Sequence, residues 1–256
     1  MNRISKMVAI TFAFAVSACA PGNDISVDLD YSQIGGLGYR NTSILAPGTT
    51  YLWNTQSNTI DKVAELTLTS NGTQPEKSNI EATRFFGLGI EGSLPDGVGR
   101  SAIEAAVSSR ATFTADQAYR DKHSSVWTAL SNYYRDETLK GRDVEADWRT
   151  RETQNGQPYL LVVVKDIIRT DNARTQLGGG GEGGSSASIS VALAGSETVN
   201  LSLKNLNSQA CSGNSAPCFF DVEVYQTFYQ DNGNLNYRSA NNVNRAGLSD
   251  AFRKHF

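Results

Sequence analysis

Asp143, Glu145 and Asp147 stand at alternate positions beside Trp148. Two carboxylates flanking a glycosidic bond can cleave it, one as acid and the other as base or nucleophile. Alternate spacing on a strand puts all three on one face, and a solvated strand face accounts for them more simply. His123 and His255 are the two histidines of the 256 residues. A serine hydrolase would need one of them beside a nucleophile elbow, and no G-x-S-x-G occurs. H-E-x-x-H is absent too, and two isolated histidines are an incomplete zinc shell. Gly87-Leu88-Gly89-Ile90-Glu91-Gly92 matches G-x-G-x-x-G. A dinucleotide site also needs a helix opening inside that motif, which Pro95 and Gly97 interrupt, so a loop is expected. No catalytic residue, metal site or cofactor is therefore expected. An envelope hydrolase would require Asp147, Glu145 or His123 to converge in one pocket.

The cysteines carry a different chemistry. Arg3 and Lys6 precede the apolar run Met7–Val16, and small residues lead to Cys19. The layout is that of a secretory leader, too short to span a bilayer as a helix. Val16-Ser17-Ala18-Cys19 resembles the lipobox of bacterial lipoproteins. The resemblance implies cleavage after Ala18 and lipidation of Cys19. Ala20, which is not aspartate, implies export to the outer membrane. Each buried CH₂ adds about 0.8 kcal/mol, so one acyl chain holds marginally and two or three hold durably. Cys211 and Cys218 remain, an even pair in an oxidising compartment, and a disulfide is expected. Closing that eight-residue loop would contribute roughly 2.5 kcal/mol. Two thiols alone make a poor metal shell.

Composition narrows the partners. Loss of Arg3 and Lys6 with the leader takes the formal charge from −3 to −5. That balance disfavours nucleic acid and electrostatic binding to anionic lipid. The 23 glycines and modest charge content suit a sheet-rich protein with many turns. The expected division is a leader over 1–18, a lipidated tether over 19–24 and a single β-rich domain over 25–256.

The positioning elements follow from periodicity. Ile25–Tyr31, Thr49–Asn54, Val63–Thr69 and Phe85–Ile90 read as strands, with a polar loop over Ser70–Ser78. Ser101-x-x-Glu104 is a capping-box signature for a helix over Ala102–Ser109. Val126, Trp127, Leu130, Tyr133 and Tyr134 form a helical stripe within Ser124–Leu139, ended by Gly141. Val144, Ala146 and Trp148 alternate, and Asn155-Gly156 predicts a hairpin turn into Tyr159–Ile168. That last strand is apolar on both faces and should lie centrally, with the Ser124–Leu139 helix over one side. Beyond the glycine tract Gly178–Gly184, Ile189–Leu193 and Val199–Leu203 form a hairpin. Asn232-Gly233 predicts another between Phe220–Tyr229 and Leu235–Tyr237, and Leu248–Phe256 a terminal helix. The tract itself reads as a mobile loop, a linker or a hairpin tip that reorders on assembly.

The expected fold is α+β, mostly antiparallel sheet with two helices packed on one face, or a β-sandwich with helical insertions. The expected function is that of a non-enzymatic outer-membrane lipoprotein, an accessory or structural subunit of a secretion, pilus or surface-export assembly. Its expected partners are the membrane, through the lipid, other envelope proteins and further copies of itself. An oligomeric pore-forming lipoprotein is the alternative.

Overall fold

The computed structural model describes residues 25–29, 32–34, 37–40, 45–76, 85–91, 94, 97–156, 158–177, 186–192, 198–204 and 216–256. Its strands are β1 (Ile25–Asp28), β2 (Gln33–Ile34), β3 (Gly38–Arg40), β4 (Thr49–Asn54), β5 (Thr59–Glu65), β6 (Thr69–Pro75), β7 (Phe85–Phe86), β8 (Gly89–Glu91), β9 (Ala111–Ser124), β10 (Tyr159–Leu177), β11 (Ser186–Ala192), β12 (Thr198–Lys204), β13 (Ala216–Tyr229) and β14 (Leu235–Ser239). The helices are α1 (Arg100–Ser108), α2 (Val126–Leu139), α3 (Val144–Asp147), α4 (Thr150–Gln154) and α5 (Arg245–His255). The class is α+β and the sheet mostly antiparallel; among the described strands β1 and β12 form the parallel pair.

β10 organises the larger sheet. One edge pairs with β13 over Leu161–Thr170; the other pairs first with β4, then from Ile167 with β9. Its register against β13 shifts between Val164 and Asp166, where β4 gives out. A bulge there bends the strand so that it can change neighbours. Side chains alternate across a strand, and each set along β10 meets a helix. Leu161 and Val163 join Val126, Ala129 and Leu130 of α2, with Val144 of α3 and Trp148 just after it. Val162 and Val164 join Leu248, Ala251 and Phe252 of α5. Cover on both faces explains the unbroken apolar run, and Val162 and Val163 are fully buried. Burying one such side chain contributes about 1.5–3 kcal/mol. The helices are thus shared between the two faces of the sheet. A third cluster lies under α1, where Ile103 and Val107 meet Ile25 and Val27 of β1, Leu201 of β12 and Phe219 of β13.

Several local expectations are corrected. Val144–Asp147 is helical, with Trp148 at its C-cap; Val144 and Trp148 are both buried at a spacing of four, which serves a helical turn as well as alternation. Asn155-Gly156 ends α4, with Gly156 at φ 85°, and forms no hairpin turn. The Val63–Thr69 strand divides: β5 stops at Glu65 and β6 starts at Thr69. Most of the expected polar loop is β6, exposed throughout and paired with β9. The N-cap of α1 is Gly99, and no side chain caps it. Trp127 lies outside the α2 stripe, 48% exposed, its Nε1 donating to Asn236 Oδ1 at 3.3 Å. The helix itself, the Asn232-Gly233 hairpin, the β11–β12 hairpin and the terminal helix form as the periodicity predicts.

Candidate functional site

The three carboxylates picked out by their spacing are each engaged. Asp143 caps α3, its Oδ1 accepting from the Ala146 amide at 3.1 Å. Glu145 accepts from the Tyr134 hydroxyl at Oε1 (2.8 Å) and from the Tyr229 hydroxyl at Oε2 (2.6 Å). Burial first, then the bond to Glu145, pushes the Tyr134 phenol up to about 12. Asp147 accepts from Arg142 Nε at 2.7 Å. Glu145 thereby ties α2, α3 and β13 together, a scaffold role. The His123 amide donates to Asp166 Oδ1 at 2.9 Å, and its Nδ1 lies 3.1 Å from the Asp121 carbonyl. His255 stands edge-on to Tyr51, ring centres 5.6 Å apart. The structure therefore places His123, Glu145 and Asp147 in separate networks. Among the described residues no group of three or more His, Cys, Asp or Glu is arranged to hold a metal ion.

The glycine motif serves packing. Gly89 begins β8, and the next helix opens at Arg100. A Cβ at Gly87 (φ +59°) would sit 2.9 Å from the Arg245 carbonyl oxygen, and one at Gly89 would sit 2.7 Å from Arg253 Cδ. Both glycines admit α5 at close range. Glu104 Oε1 accepts from the Gly87 amide at 2.8 Å, fixing that turn where a capping box was expected. Cys218 is disulfide-bonded and buried. Cys19, Cys211 and the Gly178–Gly184 tract lie outside the described residues.

What the sequence did not announce is a charge clamp across β6, β9, β10 and β13. Arg120 Nε meets Glu76 Oε2 at 2.5 Å, and its Nη1 lies 3.5 Å from Asp166 and 3.3 Å from Asp221. Arg169 Nε meets Asp121 Oδ2 at 2.5 Å, and Lys165 Nζ meets Glu223 Oε1 at 2.6 Å. The missing signal was β9, whose polar sequence has too few apolar residues to display a strand period.

No family model matches the chain, and no curated protein matches it. Among solved structures it is similar to a bacterial gasdermin from Bradyrhizobium tropiciagri, at 10% identity and a TM-score of 0.31, over 81% of this chain and 86% of that one. A likeness that distant carries neither fold nor function across.

Past the clamp, β9 and β10 continue as a ribbon, Gln176 opposite Thr112, Arg174 opposite Thr114, and Leu177 opposite Ala111. There Phe113 stands opposite Thr175, so that ribbon mixes polar and apolar pairs; after Gly178–Gly184 in the chain, β11 and β12 form a sorted one. Ala187, Ile189 and Val191 stand opposite Leu203, Leu201 and Val199, while Ser186, Ser188 and Ser190 stand opposite Lys204, Ser202 and Asn200. In this register apolar positions pair with apolar ones and polar with polar. Among the described residues β11 is hydrogen-bonded to β12 alone, at the end of its sheet. Its sequence, Ser-Ala-Ser-Ile-Ser-Val-Ala, holds neither charge nor proline. Edge strands that must stay single normally carry such guards. β5 does, with Asp61, Lys62 and Glu65, and β6 ends on Pro75.

Proposed function

We propose that the mature chain is a non-enzymatic outer-membrane lipoprotein, held by lipid on Cys19, and an accessory or structural subunit of an envelope assembly. It joins a neighbouring protein by adding a strand to β11. The unguarded β11 edge carries this reading: a row of backbone donors and acceptors on an uncharged strand is a template for β-addition. The lipobox resemblance supports the address, and the engagement of Glu145, Asp147 and His123 in scaffold contacts supports a role without catalysis. The test is crosslinking of the anchored protein in cells, pull-down and mass spectrometry, with the double variant Ser188→Lys/Ser190→Lys beside the parent. Loss of the crosslinked neighbour in that variant, with membrane fractionation unchanged, is the expected result. Equal capture by parent and variant overturns strand addition. In a parallel arm Cys19→Ser moves the protein to the soluble fraction; retention in the membrane overturns the anchor.

A second reading, an oligomeric pore, is favoured by the β11–β12 ribbon beyond Gly178–Gly184, in which apolar positions pair with apolar and polar with polar. Lipid-facing strands alternate apolar and polar residues. Dye release from phospholipid vesicles, with rings seen by electron microscopy, supports that reading against the first.

A further inference from the structure

Away from the ribbons, a cleft of about 870 Å³ opens where the β4–β5 turn, the start of α1 and the β14–α5 connection meet. That volume lies in the range of small-molecule sites. Its one ion pair is internally neutral: Arg100 Nη2 meets Asp250 Oδ2 at 2.6 Å. Both partners are further committed, Arg100 Nη1 donating to the Leu88 carbonyl at 3.0 Å and Asp250 Oδ1 accepting from the Ile90 amide at 3.3 Å. The rest of the polar lining is uncharged. Asn58, at φ 52°, turns Oδ1 to the Trp53 indole N–H at 3.1 Å, and Asn244 Oδ1 caps α5 through the Gly247 amide at 3.0 Å. Asn241 and Asn242 line the same cleft, exposed, and their side chains make no hydrogen bond among the described residues. Apolar surface comes from Leu160, Ala240 and Val243.

We infer that this cleft binds a neutral oligosaccharide. Each free amide offers donors and an acceptor side by side, the pattern that neighbouring sugar hydroxyls complement, and the small apolar patches suit the C–H faces of a sugar ring. A charged ligand finds no uncompensated counter-charge, because Arg100 and Asp250 satisfy each other. The volume of the first cleft, about 870 Å³, suits a chain of sugars better than one ring. A second hollow of about 410 Å³ also touches Ser239, Ala240, Asn241 and Val243, but Glu223 and Arg245 line it, so the neutral site is confined to the first cleft. This inference rests on the cleft alone and stands apart from strand addition at β11.

The experiment is isothermal titration calorimetry of the full mature protein with chitotetraose, maltotetraose and cellotetraose, and with tetragalacturonate as the charged comparator. The expected result is binding of at least one neutral tetrasaccharide and none of the anionic one. Asn241→Ala/Asn242→Ala should weaken the neutral binding at least tenfold with an unchanged melting temperature. Failure of all three neutral sugars at millimolar concentration, preference for the anionic one, or unaltered affinity in the double variant each overturns the inference.

Discussion

Two regions of this molecule use the same β-strand chemistry to opposite ends. Around β4, β10 and β13 the sheet is covered twice, by α2 and α3 on one face and by α5 on the other, and the apolar side chains of these clusters are buried. Beyond the Arg120 clamp, the β9–β10 ribbon and the β11–β12 hairpin have fewer neighbours among the described residues. The first region spends its hydrogen bonds and apolar faces internally. Among the described residues the second ends on β11, an uncharged strand paired on one side. Closure on both faces makes a stable body, while an open edge leaves pairing capacity for another chain. Substitutions should therefore act on stability in the first region and on association in the second.

The sharpest break in that contrast is Phe252→Ala. Phe252 is fully buried, its ring 5.2 Å from Phe220 and 5.7 Å from Tyr39. Truncation should cost about 3–5 kcal/mol, read from urea unfolding midpoints. Ser188→Lys/Ser190→Lys on β11 should stay within about 0.5 kcal/mol. Equal losses in the two variants would erase the distinction.

The next comparison holds the substitution constant. Gly48 and Gly72 have similar backbone angles, φ +90° and +82°. A Cβ at Gly48 would sit 2.0 Å from the Leu66 carbonyl oxygen, whereas at Gly72 it would meet nothing within 4 Å. Gly72→Ala should cost about 1–2 kcal/mol, the left-handed penalty alone. Gly48→Ala should exceed it by at least about 2 kcal/mol, because backbone on the covered side must move. Melting temperatures of the two variants decide this.

The covered half was the legible half. Tyr159–Val164 announces a buried strand because both faces need apolar residues, and Asn232-Gly233 announces its hairpin because the turn needs Gly233 at φ +79°. The polar half was harder to read for physical reasons. Asn71-Gly72 looks like a turn, yet the register between β6 and β9 shifts between Ser70 and Thr73, so the dipeptide serves a bulge in an edge strand. β9 is held by ion pairs to residues as distant as Asp221, which no local window contains. Val144 and Trp148 satisfied two periods at once. The amide-lined cleft was invisible for the same reason: Asn58, Arg100 and Asn241 meet only once β4, α1 and the β14–α5 connection are assembled.

The smallest expected effect tests how the clamp joins the two regions. Burial disfavours the charged form of Asp121, but the Thr73 hydroxyl at 2.7 Å and the Arg169 guanidinium outweigh it, so the carboxyl titrates below its ordinary value. A depressed folded-state value means that the ionised group stabilises the fold above the unfolded carboxylate range, about 3.9, and that this contribution is lost as pH falls through the lower folded value. Asp121 is partly exposed, so the effect is modest. Asp121→Asn should lower the urea midpoint at pH 6, and the gap between parent and variant should narrow steadily from pH 5 to pH 2. The narrowing should appear in a probe on β9, such as hydrogen exchange at Arg120 and His123, more strongly than in α5, because Asp121 bonds β6 and β10 and leaves the covered face untouched. A gap that stays constant with pH would mean that the clamp holds these strands through packing, with no contribution from the carboxylate charge.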